Sequence, residues 1–568
     1  MPSELTQGTL TSLQQRRHAY LERTPTEPLI RLWDKDMRLL ARIEDPETGD
    51  WEELDDKVGG AEFVLVGERS AWLRRLVTHE IPYDQNLMIT VDPDRNKPHD
   101  WRARWGGWVD DIEDTVEAGQ PTRTVLKCTS FRDHPSFISV AANPLLPGSV
   151  QAPKIFLNGG GTAWTCTSTA FINLFRIYSL NGFHPIPRNL FSPKSWLENL
   201  HILNWPVQVM PMNPLLDQTR WCVLSSRWKD LETAQAPLIK DAGVTCRAYT
   251  WLEGDPAPYT MFGPELAEVL RPRRSCVILA WEDHSGVDGP TGTVIDGALN
   301  LMAATADDLL TSTLVPLDFD EDGDGQPDPF IRKLFAVAPK PSPYTYRDAA
   351  HGGVHRSTMN IHKRRAVTTW TGGKSPQWLN QAITFAIRYG LSQLSTVISY
   401  GIGASVGTSG GTEGLDNLYQ GQLDDVFLPF ASYTNPVASA AAGPYARNEY
   451  FESGASSGLS VSTLQALASG DYKNRAYVSW QHELADVAPF VLDEDFGLAH
   501  RVNIERDGIL YTDQVKGIKR SIGRGKPLRP VLTLGDDTRE EDGLIRAFRS
   551  IGDVANFAAL IASAGDMF

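Results

Sequence analysis

The residues with the sharpest chemical meaning lie in one acidic run, Asp318-Phe319-Asp320-Glu321-Asp322-Gly323-Asp324-Gly325-Gln326-Pro327-Asp328. Carboxylates at alternate positions, with glycines that let the backbone curl, can wrap one Ca²⁺ in oxygen ligands. Counting Asp320 as position 1 of a calcium loop puts Asp322, Asp324 and Asp328 at positions 3, 5 and 9, and Gly325 at 6. Position 12 is then Ile331, so the bidentate Glu of an EF-hand is missing. The expected ligand set is Asp318, Asp320, Asp322, Asp324 and Asp328, with calcium as the only cofactor expected. The competing reading is a solvated acidic turn. Crowded carboxylates repel one another, which favours a cation among them.

Other motifs carry less. His351, His355 and His362 have HxxxH spacing, which would suit zinc on a helix, but Gly352-Gly353 breaks the helix and no HExxH glutamate is present. Gly159-Gly160-Gly161 follows the strand-like Lys154 to Leu157 and lacks the Lys-Ser/Thr of a phosphate loop, so a tight turn is expected there. Two GxSxG strings, at 403–407 and 454–458, sit in small-residue runs rather than between a strand and a helix, where a nucleophile elbow belongs. Acidic pairs are too numerous to single out a glycosidase pair. Trp101, Trp105 and Trp108 have the chemistry to stack on sugars, although core packing or a subunit contact is the stronger expectation. No catalytic residue is assigned, and the chain reads as a non-enzyme.

Composition sets the frame for these motifs. The chain has 568 residues, 41% apolar and 22% charged, which suits three or four globular domains. Lys and Arg number 54 against 70 Asp and Glu, a net charge of −16. Such a surface repels polyphosphate and argues against DNA binding of either kind, while suiting a wall past which DNA slides. Cys128, Cys166, Cys222, Cys246 and Cys276 are odd in number and widely spaced, the pattern of free thiols in a reducing cytosol. No secretory signal and no run of 18 apolar residues is visible, so no stable membrane insertion is expected.

The positioning elements fall into blocks. Residues 1–27 read as an N-terminal arm. Residues 28–127 read as a first small β-barrel, opening with a hairpin in which Ile30 and Leu32, then Leu39, Ala41 and Ile43, alternate about a turn at Asp34-Lys35-Asp36. A short helix is expected over Ser70 to Thr78, and a hairpin turning at Gly106-Gly107. Residues 128–274 and 345–484 read as an inserted α/β region. It includes helices at Trp228 to Ala236, stopped or kinked by Pro237, at 377–400 and at Ser462 to Ala468. Residues 275–344 and 485–540 read as a second β-barrel. Strands are expected there at Cys276 to Ala280, at Thr293 to Ile295, on either side of the Asp507-Gly508 turn, and at Val531 to Leu534. Lys340 to Pro343 reads as a stiff linker, and residues 541–568 as a terminal helix with one apolar stripe. The fold class expected is thus multidomain α+β, with two small β-barrels, α/β insertions and terminal helices.

Patches along the chain resemble the minor tail proteins of siphoviruses that infect actinobacteria, the tail-tip or baseplate hub family. They are Leu29 to Met37, Ser285 to Thr293, Tyr344 to Asp348, Thr371 to Pro376, Leu415 to Phe427 and Leu464 to Leu467, then Phe496 to Leu498, Arg501-Val502 and Ile509 to Val515. Their order persuades more than any one of them. Ala499-His500 departs from the Gly-Asp pair expected in that turn. The acidic run looks like an addition to the family pattern, and is similar to the short calcium loops of thrombospondin type 3 repeats. The resemblance implies a structural hub, a homotrimer at the tail tip that joins tail tube to tip proteins and lines the channel for DNA and tape measure. Implied partners are the distal tail protein, the tape measure protein and other tail-tip proteins. Rival readings are a tip-borne cell-wall hydrolase and a receptor- or glycan-binding module.

Overall fold

A computed structural model describes residues 27–535 apart from 45, 56, 68–70, 147, 150, 152, 181–200, 315–329, 348–353, 373–429, 454–460, 475, 485–489, 507–508 and 525. The expected arm, the 377–400 helix, the Asp507-Gly508 turn and the C-terminal helix lie outside the described residues.

The first block is an antiparallel sheet of β1 (Leu29–Trp33), β2 (Leu39–Ile43), β3 (Thr48–Leu54), β4 (Gly60–Val66), β5 (Met88–Asp92), β6 (Trp105–Thr115) and β7 (Arg123–Ser130), in which β1 pairs with β5 and β4 with β7. The opening hairpin forms as the alternation requires, with Ile30 opposite Ile43 and Leu32 opposite Ala41. Its turn is closed by Asp34, whose Oδ1 accepts the backbone N–H groups of Asp36 (2.9 Å) and Arg38 (2.8 Å). Helix α1 (Ala71–Arg75), continued by a wider turn over Leu76–Glu80, matches the helix expected from Ser70 to Thr78. Ile30, Leu32, Trp51, Phe63, Ile89, Val91, Trp105 and Leu126 form the core of this block.

Gly106-Gly107 is not a turn; both residues lie inside β6. A side chain at Gly107 would meet the Thr129 carbonyl oxygen at 2.3 Å, and one at Gly106 would meet the Thr250 hydroxyl at 2.1 Å. These glycines therefore answer to close approach by neighbouring chain, not to chain reversal. Beside them Trp108 packs edge-on against Phe131 and against His134, with centroids 4.8 and 4.5 Å apart. Burial pulls the His134 imidazole down to about 3. In the unfolded chain a histidine titrates near ~6.5. Between those values the unfolded chain binds a proton that the folded chain refuses. Stability present above pH ~6.5 is thus lost as pH falls, at up to about 1.4 kcal/mol per unit. His134→Gln should flatten this acid limb of the stability profile; an unchanged profile would count against the assignment.

The α/β region follows. It holds β8 (Phe156–Gly161), α2 (Thr162–Phe175), β9 (Val207–Val209), β10 (Trp221–Ser226), α3 (Leu231–Ala242), β11 (Val244–Trp251), α4 (Pro264–Val269), β12 (Cys276–Asp283) and α5 (Val294–Leu314). Pro237 neither stops nor ends α3. The helix runs from an Asp230 cap, whose Oδ1 accepts the Thr233 N–H at 2.7 Å, to Gly243 in the left-handed region at φ 66. Strand β12 pairs with β11 and, in parallel, with β9, so Cys276 to Ala280 belongs to this region's sheet and not to a second β block. Thr293 to Ile295 is likewise not a strand; Val294 opens α5.

The remaining elements are α6 (Phe330–Leu334), β13 (Thr345–Arg347), β14 (Val354–His362), β15 (Thr368–Gly372), β16 (Phe430–Thr434), α7 (Pro436–Ala442), β17 (Glu449–Phe451), α8 (Val461–Asn474), β18 (Tyr477–Leu484), β19 (Arg501–Arg506), β20 (Ile509–Gly523) and β21 (Lys526–Leu534). Strands β19 and β20 pair antiparallel across the expected hairpin, from Arg506 opposite Ile509 to Arg501 opposite Gln514. The long β20 then continues, and Gly517 to Gly523 pairs with β3 of the first block. One sheet results, in the order β14-β18-β21-β20-β3-β4-β7-β6-β5-β1-β2, with β19 and β13 branching from β20. Instead of standing apart, the two β blocks share this sheet. Among the described residues no pairing closes either block into a barrel. Each block keeps its own core, the second built from Tyr346, Phe496, Leu498, Val502, Ile504, Val515, Ile518, Leu532 and Leu534. Ala499, where a glycine was expected, does adopt the left-handed φ of 67 that suits glycine. Among the described residues no helix is long and apolar enough to cross a membrane.

Candidate functional site: buried charge junctions between regions

Two clusters of charge are buried where sequence-distant regions meet. The first joins β3, β11, β20 and the segment before β19. Glu53 accepts from Arg247 Nη2 at 2.8 Å through one carboxylate oxygen and from Arg520 Nη1 at 2.8 Å through the other. Arg520 Nη2 also donates to both oxygens of Asp493, at 2.8 and 2.6 Å. The Arg520 side chain is only 2% exposed. Burial alone would lower its pKa, but the charges of Asp493 and Glu53 outweigh that and hold it above its ordinary value.

The cluster continues into the turn at 497–500. The Arg247 guanidinium lies 5.0 Å from the Tyr249 ring centroid, and the Tyr249 hydroxyl donates to Glu282 at 2.7 Å. Burial pushes Glu282 up, but hydrogen bonding from His284 and Tyr249 and the charge of Arg247 prevail and bring it to about 2. The His284 and His500 rings lie 4.5 Å apart, and His500 Nδ1 accepts the Gly497 N–H at 3.2 Å. Burial first, and the neighbouring His284 after it, lower the His500 pKa.

The second cluster joins β1, β5 and the residue before β6 to the end of β11 and the turn that follows it. Arg104 Nε donates to Asp92 at 2.7 Å, and its Nη1 donates to Asp255 at 2.6 Å. Two backbone carbonyls, of Thr250 and Pro98, complete its donors at 2.9 and 2.6 Å. Arg31 approaches Asp92 at 2.5 Å from the other side. Lys516 adds a smaller clasp between β20 and the first block, reaching Asp55 at 2.7 Å.

Chemically these arrangements do one thing. A buried ion pair contributes little net stability, because desolvation offsets attraction, but it penalises any geometry that breaks it. Each guanidinium here is satisfied only when its regions are docked in one orientation. These are joints, with most guanidinium donors held by protein oxygens.

The residues singled out in the sequence are placed as follows. Asp318, Asp320, Asp322, Asp324 and Asp328 lie outside the described residues, as do both GxSxG serines and His351. His355 and His362 fall on strand β14, not on a helix. Among the described residues no group of three or more His, Cys, Asp or Glu is arranged to hold a metal. Gly159 to Gly161 ends β8 and leads directly into α2. The positive end of that helix already holds a carboxylate, since Asp217 accepts the Trp164 N–H at 2.8 Å and would lie 2.2 Å from a side-chain carbon on Gly161. A phosphate would be repelled there. Trp101 and Trp105 are core residues, and all five cysteines are free thiols.

Sequence reasoning missed both junctions. The one signal of the first was a charge on the inward parity of a strand: Arg520 shares a face of β20 with Ile518.

A model of the family described as Siphovirus ReqiPepy6 Gp37-like protein matches residues 29–536. The minor tail protein Gp28 of Mycobacterium phage L5 is 22% identical over 591 residues, covering 94% of this chain and 96% of that protein. Its counterpart in Mycobacterium phage D29 is 22% identical over 573 residues, covering 91% and 94%. Among solved structures, the tail protein from Neisseria meningitidis MC58 aligns at 9% identity and a TM-score of 0.35, covering 90% of this chain and 97% of that one. The 43 kDa tail protein of prophage MuSo2 from Shewanella oneidensis aligns at 8% identity and a TM-score of 0.34, covering 90% and 98%.

Proposed function

The chain belongs to the family of Siphovirus ReqiPepy6 Gp37-like proteins, and from that premise we propose that it is a structural minor tail protein forming the hub at the tip of a long, non-contractile tail. The observation that carries this is extent: the family model spans residues 29–536, and two minor tail proteins align with more than nine-tenths of the chain. The buried junctions support it, because a hub must hold its parts in one orientation under load. Two separate apolar cores, one in each β block, support an organisation into two small barrels.

In this reading the chain is a homotrimer without catalytic residues. It joins the tail tube to tip proteins and touches the distal tail protein and the tape measure protein. Its net charge of −16 supports a channel wall that lets DNA pass without sequence-specific or non-specific binding. Free thiols support folding in the host cytoplasm before assembly. Cryo-EM of the virion should place this chain at the tail tip; a tip density that cannot accommodate it sinks the proposal.

Calcium in the run from Asp318 to Asp328 is part of the same proposal and rests on the sequence pattern. Adding EGTA should lower the melting temperature of the purified chain, and Asp322→Ala should remove that response. A melting temperature indifferent to EGTA rejects calcium.

A further inference from the structure

Basic side chains gather where the loop at 363–367, the loop at 443–448 and the C-terminal end of α8 meet. Two are neutralised by close acids: Arg364 pairs with Asp471, and Lys473 with Glu452 at 2.5 Å. Arg365 and Arg447 have no ion pair among the described residues, and both are exposed. Together with Lys473, Glu449, Tyr450 and Asn474 they line a cavity of about 400 Å³.

The cavity is built by backbone, not by chance contact of side chains. Arg365 N–H donates to the Asn474 carbonyl at 3.0 Å, Val367 N–H to the Arg447 carbonyl at 3.2 Å, and Thr368 N–H to the Asn448 carbonyl at 2.9 Å. The buried Asn474 amide is itself fixed on the Gly470 carbonyl at 2.7 Å. The walls therefore stand in place before any ligand arrives, which lowers the cost of binding.

The lining selects a chemical class. Guanidinium groups present planar donor forks that match carboxylate and phosphate oxygens. Two unneutralised forks on one concavity stand out in a chain of net charge −16. Glu449 on the same wall repels a bare polyanion but accepts from a hydroxyl. Tyr450 supplies ring surface, its hydroxyl being already donated to Glu452 at 3.0 Å. The volume is of small-molecule size and far exceeds what a lone inorganic anion fills. We propose that this pocket binds an acidic saccharide unit, a sugar ring carrying a carboxylate or a phosphate, with Arg365 and Arg447 clasping the acid group. This goes beyond the hub reading, since it gives the chain a ligand and not only neighbours.

Calorimetric titration of the full chain with glucuronic acid, glucose 1-phosphate, glucose and inorganic phosphate tests it. Both acidic sugars should bind, with glucose and phosphate at least about tenfold weaker, the loss expected when a charged hydrogen bond is missing. Arg365→Ala and Arg447→Ala should each weaken the acidic sugars by about tenfold or more while leaving the melting temperature unchanged, because both side chains are exposed. A glucuronate-bearing tetrasaccharide binding more tightly than the monomer points to a surface glycopolymer, and equal binding to a free sugar acid. The proposal is overturned if folded wild-type chain binds neither acidic sugar, if phosphate binds as tightly as they do, or if the Arg365→Ala/Arg447→Ala double variant keeps its affinity. None of these outcomes bears on where the chain sits in the virion, which cryo-EM reads separately.

Discussion

Arg520→Met should cost the folded chain roughly 3–5 kcal/mol, the penalty for leaving buried carboxylates without their cation. Methionine fills similar volume, so the loss reports charge and not a cavity. The guanidinium makes bonds of 2.8 Å to Glu53 and of 2.8 and 2.6 Å to Asp493, and the Glu53 and Asp493 side chains are 16% and 22% exposed. Denaturant unfolding measures the effect. Combining it with Glu53→Gln completes a double-mutant cycle in which the second loss should be smaller than it is alone, because the partner charge has already gone. A loss under about 1 kcal/mol, the worth of an exposed pair, would show that the junction is not a joint. The consequence for assembly is direct. Arg520 holds the shared strand β20 against β3 and the segment before β19 at once, so the variant should also assemble tails poorly at raised temperature.

Arg104→Lys should be nearly as damaging as Arg104→Met, at roughly 3 kcal/mol or more. Arg104 is wholly buried, and its fork serves Asp92 at 2.7 Å, Asp255 at 2.6 Å and the carbonyls of Thr250 and Pro98 at 2.9 and 2.6 Å. Lysine keeps the charge but has a single nitrogen, which cannot reach acceptors fanned around a plane. Two carboxylates, each 1% exposed, would then share one short donor. A lysine variant as stable as wild type would show that charge alone suffices and that the planar geometry is irrelevant.

Local features were legible because their physics is local. The alternation of Ile30, Leu32, Ala41 and Ile43 dictates a hairpin whatever surrounds it, and the strands flanking Asp507-Gly508 pair as the turn chemistry requires. The left-handed φ of 67 at Ala499 had no signal in the residue itself; only the resemblance implied a glycine there. Misreadings came where a neighbour from elsewhere in the chain overruled the local signal. Gly106-Gly107 looks like a turn, but the glycines make room for the Thr129 carbonyl and the Thr250 hydroxyl. Cys276 to Ala280 reads correctly as a buried strand, yet nothing in an apolar run names the sheet that buries it.

The sequence by itself determined the acidic character of this protein, its opening β-hairpin and the strands flanking Asp507-Gly508, and through ordered patches its kinship with siphovirus tail proteins. Only the tertiary structure decided that β20 fuses the two β blocks into one sheet, and that Arg104 and Arg520 are the pins between regions. It also decided that Arg365 and Arg447 share a cavity. The physical reason is range. Hydrophobic periodicity and turn chemistry act over a few residues, whereas Glu53 meets Arg520 across 467 positions, and no pattern along the chain encodes which buried charge will find which.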